Sequence, residues 1–92
     1  MDDAKRELVR AWLSRAHHDL VWARKLAADP DPLRDTAIFH CQQAAEKAVK
    51  GFLVFQDQRF EKTHDIEVLL RLAVAFEPRF EPLAAAADRL SK

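Results

Sequence analysis

The chain has 92 residues, of which 49% are hydrophobic and 33% are charged, and its 15 basic and 15 acidic side chains cancel. This length predicts a single domain, residues 1–92, and the balanced charge excludes the basic field that grips duplex DNA or an anionic membrane. One cysteine, Cys41, excludes an internal disulfide, and no apolar run reaches the roughly 18 residues of a membrane span. Because the N-terminus is also charged and lacks a signal-peptide pattern, we expect a cytoplasmic protein.

Four helices are predicted, because strong helix formers dominate the chain and its four prolines fall in two clusters. Asp2 or Asp3 is expected to cap the first helix, and Thr63 or His64 the third. The expected ranges are 3–28, from 33–35 to about 56, 65 to about 76, and from 81–82 to 90. The fold prediction is therefore an all-α, antiparallel up-down helical bundle of two long and two short helices.

The first helix carries one charged residue within its apolar stripe. The stripe recurs at steps of three and four residues, and Asp19 falls between its members. A carboxylate in that position needs a hydrogen-bond partner. Either it forms a simple pair at the edge of the bundle, or it belongs to a polar pairing inside the core. Its candidate partners are Lys47, Lys50, Gln43 and His64.

The second helix has two different faces. One face is apolar and is predicted to form the core; it consists of Ile38, Cys41, Ala45, Ala48, Phe52 and Phe55. The opposite face mixes polar and apolar residues: Phe39, His40, Gln42, Gln43, Glu46, Lys47, Lys50, Leu53 and Val54. This mixture predicts a second buried face, and we expect a dimer interface at Phe39, Gln43, Leu53 and Val54. The alternative is that Phe39 and Leu53 pack under the third and fourth helices.

Gly51, the only glycine, lies beside this mixed face. Glycine inside a helix costs about 1 kcal/mol relative to alanine, so its presence predicts the close approach of another helix or of a ligand. Nearby, Glu46 and Lys50 are four residues apart in the favourable order for an ion pair. Glu46 is therefore expected to take part, like Asp19, in polar pairing.

The polar residues of the second helix also suit a phosphate ligand. Ammonium groups bind phosphate as point charges, and a histidine near them can titrate or transfer a proton. The candidate nucleotide- or phosphate-binding residues are Gln43, Lys47, Lys50 and His64. The alternative for His64 is a capping role. The sequence has no metal-binding motif and no glycine-rich phosphate loop, so no metal and no cofactor is predicted.

Three segments together resemble the HEPN domain, a small prokaryotic helical domain often encoded beside a minimal nucleotidyltransferase. They are "AHHDLVWA" (16–23), "FHCQQAAEKAVKGFL" (39–53) and "THDIEVLL" (63–70). The resemblance covers roughly residues 8–72. It implies a helical bundle that pairs as a homodimer and takes part in nucleotide or RNA chemistry. This subgroup tends to continue into a further helical segment with an Arg-Tyr-Pro-like motif, whereas this sequence ends at "ADRLSK".

The resemblance also implies candidate catalytic residues. Members of the wider superfamily are ribonuclease toxins held in check by the neighbouring nucleotidyltransferase, and their signature is an arginine and a histidine separated by four to six residues. Arg34 and His40 are separated by five. His40 or His64, with Arg34 or Lys47, are the candidates for activating a ribose hydroxyl and steadying the phosphate.

Three functions remain open at this point. The first is a nucleotide- or RNA-associated interaction domain that acts with a nucleotidyltransferase partner in a toxin–antitoxin-type module. The second is a metal-independent endoribonuclease, and the third is an adaptor that binds only protein. A binding role is favoured over catalysis.

Overall fold

The computed structural model describes residues 1–60 and 65–90, and this part of the chain is helical without a strand. The helices are α1 (Asp3–Ala28), α2 (Arg34–Phe55), α3 (Ile66–Val74) and α4 (Glu81–Leu90), with a turn of 3-10 helix at Pro78–Phe80 before α4. This confirms the all-α prediction and its two long and two short helices. None of the described helices is both long and apolar enough to cross a membrane.

Aspartate side chains begin two of these helices. The Asp2 carboxylate accepts a hydrogen bond from the backbone N–H of Lys5, which confirms Asp2 as the N-cap of α1. Asp65 caps α3, since its carboxylate accepts from the backbone N–H groups of Glu67 and Val68. The N-cap of α3 is therefore Asp65 and not, as predicted, Thr63 or His64. Thr63 and His64 lie outside the described ranges.

The central helix, α2, packs against both α1 and α3. The buried core between α2, α3 and α4 is small and consists of Val49, Leu53, Leu69, Leu70, Ala73 and Ala84. Leu53, which is fully buried, lies in this core.

The apolar stripe predicted to form the core of α2 is largely uncovered, so that prediction was wrong. Ile38 is 55% exposed, and Cys41, Ala45 and Phe55 are exposed as well. The reason is that α1 contacts the polar side of α2 instead of this stripe. Ala48 and Phe52 are half-buried at the edge of the core.

Two open grooves run along the uncovered stripe and share Ile38 and Cys41. The first has a volume of about 660 Å³ and lies between α2 and the α3–α4 pair, with Leu70, Leu83 and Ala87 among its lining residues. The second has a volume of about 590 Å³ and lies between the C-terminal half of α1 and the start of α2. The bundle is therefore open along the side of α2 that carries Ile38 and Cys41.

Candidate functional site

A cluster of three polar side chains joins the middle of α1 to the first half of α2. Asp19 is buried, and its two carboxylate oxygens have different partners. Oδ1 lies 2.8 Å from Nδ1 of His40, and Oδ2 accepts a hydrogen bond of 2.6 Å from Nζ of Lys47. The three groups come together because α1 packs on the side of α2 where His40 and Lys47 are two turns apart.

The partners of Asp19 favour its ionised form. Burial opposes the ionisation of Asp19, but hydrogen bonds from Lys47 and His40, together with their charges, outweigh it and lower the pKa of Asp19. Because an ionised carboxylate only accepts hydrogen bonds, Nδ1 of His40 carries the proton it donates. Nε2 of His40 is then the ring nitrogen that can exchange a proton with a ligand.

Aromatic rings flank His40 on two sides. The Trp22 ring stacks near it, with 6.4 Å between centroids and 25° between planes, and the Phe39 ring meets it edge-on at 5.6 Å. Trp22 is 55% exposed and Phe39 is 53% exposed, and the His40 side chain itself is 25% exposed. We call Trp22, Phe39 and His40 the aromatic flank.

Trp22 was not among the predicted site residues. It lies three residues after Asp19 and therefore on a neighbouring part of the α1 surface. The sequence shows this spacing. It does not show that Asp19 contacts His40, and without that contact the spacing does not place the Trp22 indole beside His40.

The predicted phosphate-binding residues do not form one site. Lys47 belongs to the Asp19 cluster, and Gln43 is half-buried one turn after His40 on the same side of α2. Lys50 is only 6% exposed and points inward. His64 lies outside the part of the chain that the structure describes.

Lys50 takes part in a second buried ion pair. Its Nζ lies 3.4 Å from the Glu46 carboxylate and over the rings of Trp12 and Phe60, at 5.3 and 5.8 Å from their centroids. Cation–π contacts of this kind stabilise a buried ammonium group. Lys50 therefore serves the packing between α1, α2 and the following loop in this structure.

Arg34 and His40 do not converge. Arg34 is the first residue of α2 and lines the second groove, beside Leu20 and Ala37. Six residues on an α-helix rotate the side-chain direction by about 600°, which leaves Arg34 and His40 about 120° apart around the axis, so Arg34 faces away from the Asp19 cluster.

The residues predicted for a dimer interface are divided among different environments. Phe39 is exposed, whereas Gln43 and Val54 are half-buried. Leu53 has no exposed surface, because it packs against Leu69 and Leu70 in the core of a single chain. It is therefore a core residue and not a contact for a second subunit.

Polar groups in the interior are well satisfied. Among residues 1–60 and 65–88, every buried side-chain nitrogen or oxygen has a hydrogen-bond partner. The same part of the chain has no group of three or more His, Cys, Asp and Glu side chains placed to hold a metal ion. In the Asp19 cluster the carboxylate is buried, whereas the side chains of His40 and Lys47 are each 25% exposed.

The family model of the HEPN domain matches residues 9–92 of the chain. The match begins close to the start of the 8–72 range that the sequence motifs covered and extends beyond that range toward the C-terminus. No curated protein and no solved structure matches the chain significantly.

Proposed function

The chain belongs to the HEPN domain family, which is associated with ribonuclease and toxin–antitoxin functions, and from this premise we propose that it is a binding module for RNA or nucleotides. One observation carries the proposal. His40 is held at Nδ1 by Asp19, yet its ring reaches a surface that also presents exposed aromatic side chains. Such a surface offers a hydrogen-bonding imidazole and rings for a base, with the Lys47 ammonium close by for a phosphate.

A titration followed by NMR tests this binding. Adding a single-stranded hexaribonucleotide, or a nucleoside monophosphate, to the isotope-labelled chain should shift the signals of His40, Gln43 and Lys47. Lys47→Gln should weaken binding several-fold. Lys5→Gln is the matched control, because Lys5 also forms an ion pair, 3.0 Å from Asp57, at the opposite end of α1. Equal losses in both variants, or shifts that avoid the Asp19 cluster, would contradict the proposal.

The proposal extends to protein partners. By its family resemblance, the chain acts with a minimal nucleotidyltransferase in a toxin–antitoxin-type module and pairs as a homodimer. The open apolar grooves beside Ile38 and Cys41 support a protein contact of this kind. Co-expression of the tagged chain with a minimal nucleotidyltransferase from the same genome should yield a stable complex. A complex that forms while RNA and nucleotides fail to bind would favour the protein-only adaptor instead.

A second candidate function, an endoribonuclease, is favoured by the Asp19–His40 pair. A carboxylate that fixes the tautomer of a histidine is the arrangement used to activate a hydroxyl. Nε2 of His40 would take the proton of a ribose 2′-hydroxyl, whose oxygen attacks the phosphorus. The bond to the 5′-oxygen then breaks, this oxygen takes up a proton, and a 2′,3′-cyclic phosphate remains.

Cleavage assays separate this candidate from binding alone. An endoribonuclease should release cyclic-phosphate ends in the presence of a chelator, and His40→Ala should reduce the rate about 100-fold or more, the usual contribution of a general base. Arg34→Ala should leave the rate unchanged, because Arg34 faces the other groove. Binding of RNA without any cleavage would leave the chain a binding module.

A further inference from the structure

We propose that Trp22 and Phe39 form a stacking site for the unpaired bases of single-stranded RNA; this inference rests on the proposed function and names its ligand. Both rings are more than half exposed, although a tryptophan and a phenylalanine usually bury most of their surface. Exposed aromatic rings beside cations are the usual platform for single-stranded nucleic acid, because every base has a face that can stack.

Both rings contact His40, which is itself held by Asp19. Trp22 contacts His40, which is bonded to Asp19, and Asp19 is bonded to Lys47. Phe39 precedes His40 in the same helix and meets its ring edge-on. Both aromatic side chains are thus carried by helices that a buried polar network locks together, so that little ordering is needed when a base binds.

Positive charge lies on the same side of α1. Nζ of Lys25 is 5.8 Å from the Trp22 ring centroid, and an exposed lysine in that position can move aside for a base and reach the adjoining phosphate. Arg15 lies seven residues before Trp22 and therefore on the same helical face. Arg15 and Lys25 are separated by about 15 Å along the helix, a length that a short strand can span.

The aromatic flank differs in chemistry from the open grooves. Among the described residues, the larger groove is lined by aliphatic and aromatic side chains with a single polar one, Gln42. Such a surface suits an apolar protein partner. The aromatic flank instead presents rings with Lys25 beside them, a composition that suits a nucleic acid strand.

Fluorescence measures the stacking directly. The chain contains two tryptophans, and Trp12→Phe leaves Trp22 as the only reporter. Titration of this variant with a single-stranded hexauridylate should quench Trp22 emission in a saturable manner. The same length of RNA in a duplex should quench it far less, because its bases are already stacked.

Variants measured by anisotropy with a labelled hexaribonucleotide complete the test. In the otherwise wild-type chain, Trp22→Ala and Phe39→Ala should each weaken binding about 5- to 150-fold, the range expected for losing one stacked base. Phe55→Ala is the matched control, since Phe55 is also exposed and has a lysine, Lys5, 5.5 Å from its centroid. It should leave the affinity unchanged.

The outcomes separate this inference from the proposed function. Undiminished RNA binding in both Trp22→Ala and Phe39→Ala would overturn the stacking site alone. A loss of RNA affinity equal to that in Phe55→Ala would also overturn the stacking site. A change in the molecular mass of the variants without a change in RNA affinity would overturn it as well, and would assign the aromatic flank to a subunit contact. No binding of RNA by the wild-type chain would overturn the stacking site together with the RNA-binding function.

Discussion

Asp19 links α1 to α2, because its two carboxylate oxygens bind the side chains of His40 and Lys47. A carboxylate inside an apolar stripe requires a partner, and Lys47, one of the expected partners, does donate to it. His40 also bonds Asp19, although it is not among the expected partners; it lies on the same mixed face of α2 as Lys47. Which neighbouring helix a polar face meets depends on tertiary packing, and one sequence carries no direct signal of that.

The Asp19 cluster predicts a specific dependence of stability on pH. The pKa of Asp19 is lower in the folded than in the unfolded chain, so its contribution is present above the unfolded value of about 4 and is lost as the pH falls through the folded value. Urea unfolding between pH 7 and pH 3 should therefore show a smaller loss of stability in Asp19→Asn than in the wild type. At pH 7 this variant should be about 1–3 kcal/mol less stable. Equal losses of stability in the two proteins between pH 7 and pH 3 would contradict the lowered pKa of Asp19.

At the scale of helices, the boundaries were predictable and the packing directions were not. Aspartate caps and proline clusters mark helix ends locally, and the predicted bounds of α1 agree with the structure. The sequence predicts that the apolar stripe of α2 forms the core, but this stripe is largely exposed, whereas Glu46, Lys50 and Leu53 of the mixed face are buried. Periodicity identifies which residues share a face, but α2 packs against two helices, and α1 approaches it at Gly51, where Trp12 and Leu13 lie close.

Gly51 allows α1 and α2 to approach, and enlarging it should separate them. A Cβ atom added at Gly51 would lie 3.3 Å from Cβ of Trp12 and 3.4 Å from Cδ2 of Leu13, closer than most such contacts. Gly51→Leu should therefore lower the free energy of unfolding by about 1–3 kcal/mol, as other overpacked cores do. Thermal unfolding followed by circular dichroism measures this.

Gly51→Ala is the graded control for that experiment. Alanine gains about 1 kcal/mol of helix propensity over glycine, and the tight contact with Trp12 offsets much of it. A nearly unchanged melting temperature is expected for alanine. A leucine variant as stable as the wild type would show that α1 is not pressed against this position.

At the scale of the whole molecule, the arrangement of the helices leaves apolar surface uncovered. α2 packs against α1 and α3, and α4 packs on α3, but the stripe with Ile38 and Ala45 lines an open groove. A chain of 92 residues with so small a core gains stability from covering such a surface. The proposed homodimer is therefore more readily placed on the grooves than on the side of α2 that contains Leu53.

Two glutamate substitutions distinguish these placements. Ile38→Glu puts a charge into the surface shared by both grooves, so it should convert a dimer to a folded monomer in light scattering, with helicity unchanged. Leu53→Glu should instead unfold the chain, because a carboxylate at a fully buried position lacks a partner there. Leu8→Glu, at an exposed leucine of α1 away from the grooves, is the control and should change neither property. A folded monomer produced by Leu53→Glu, with Ile38→Glu still dimeric, would return the interface to the opposite side of α2.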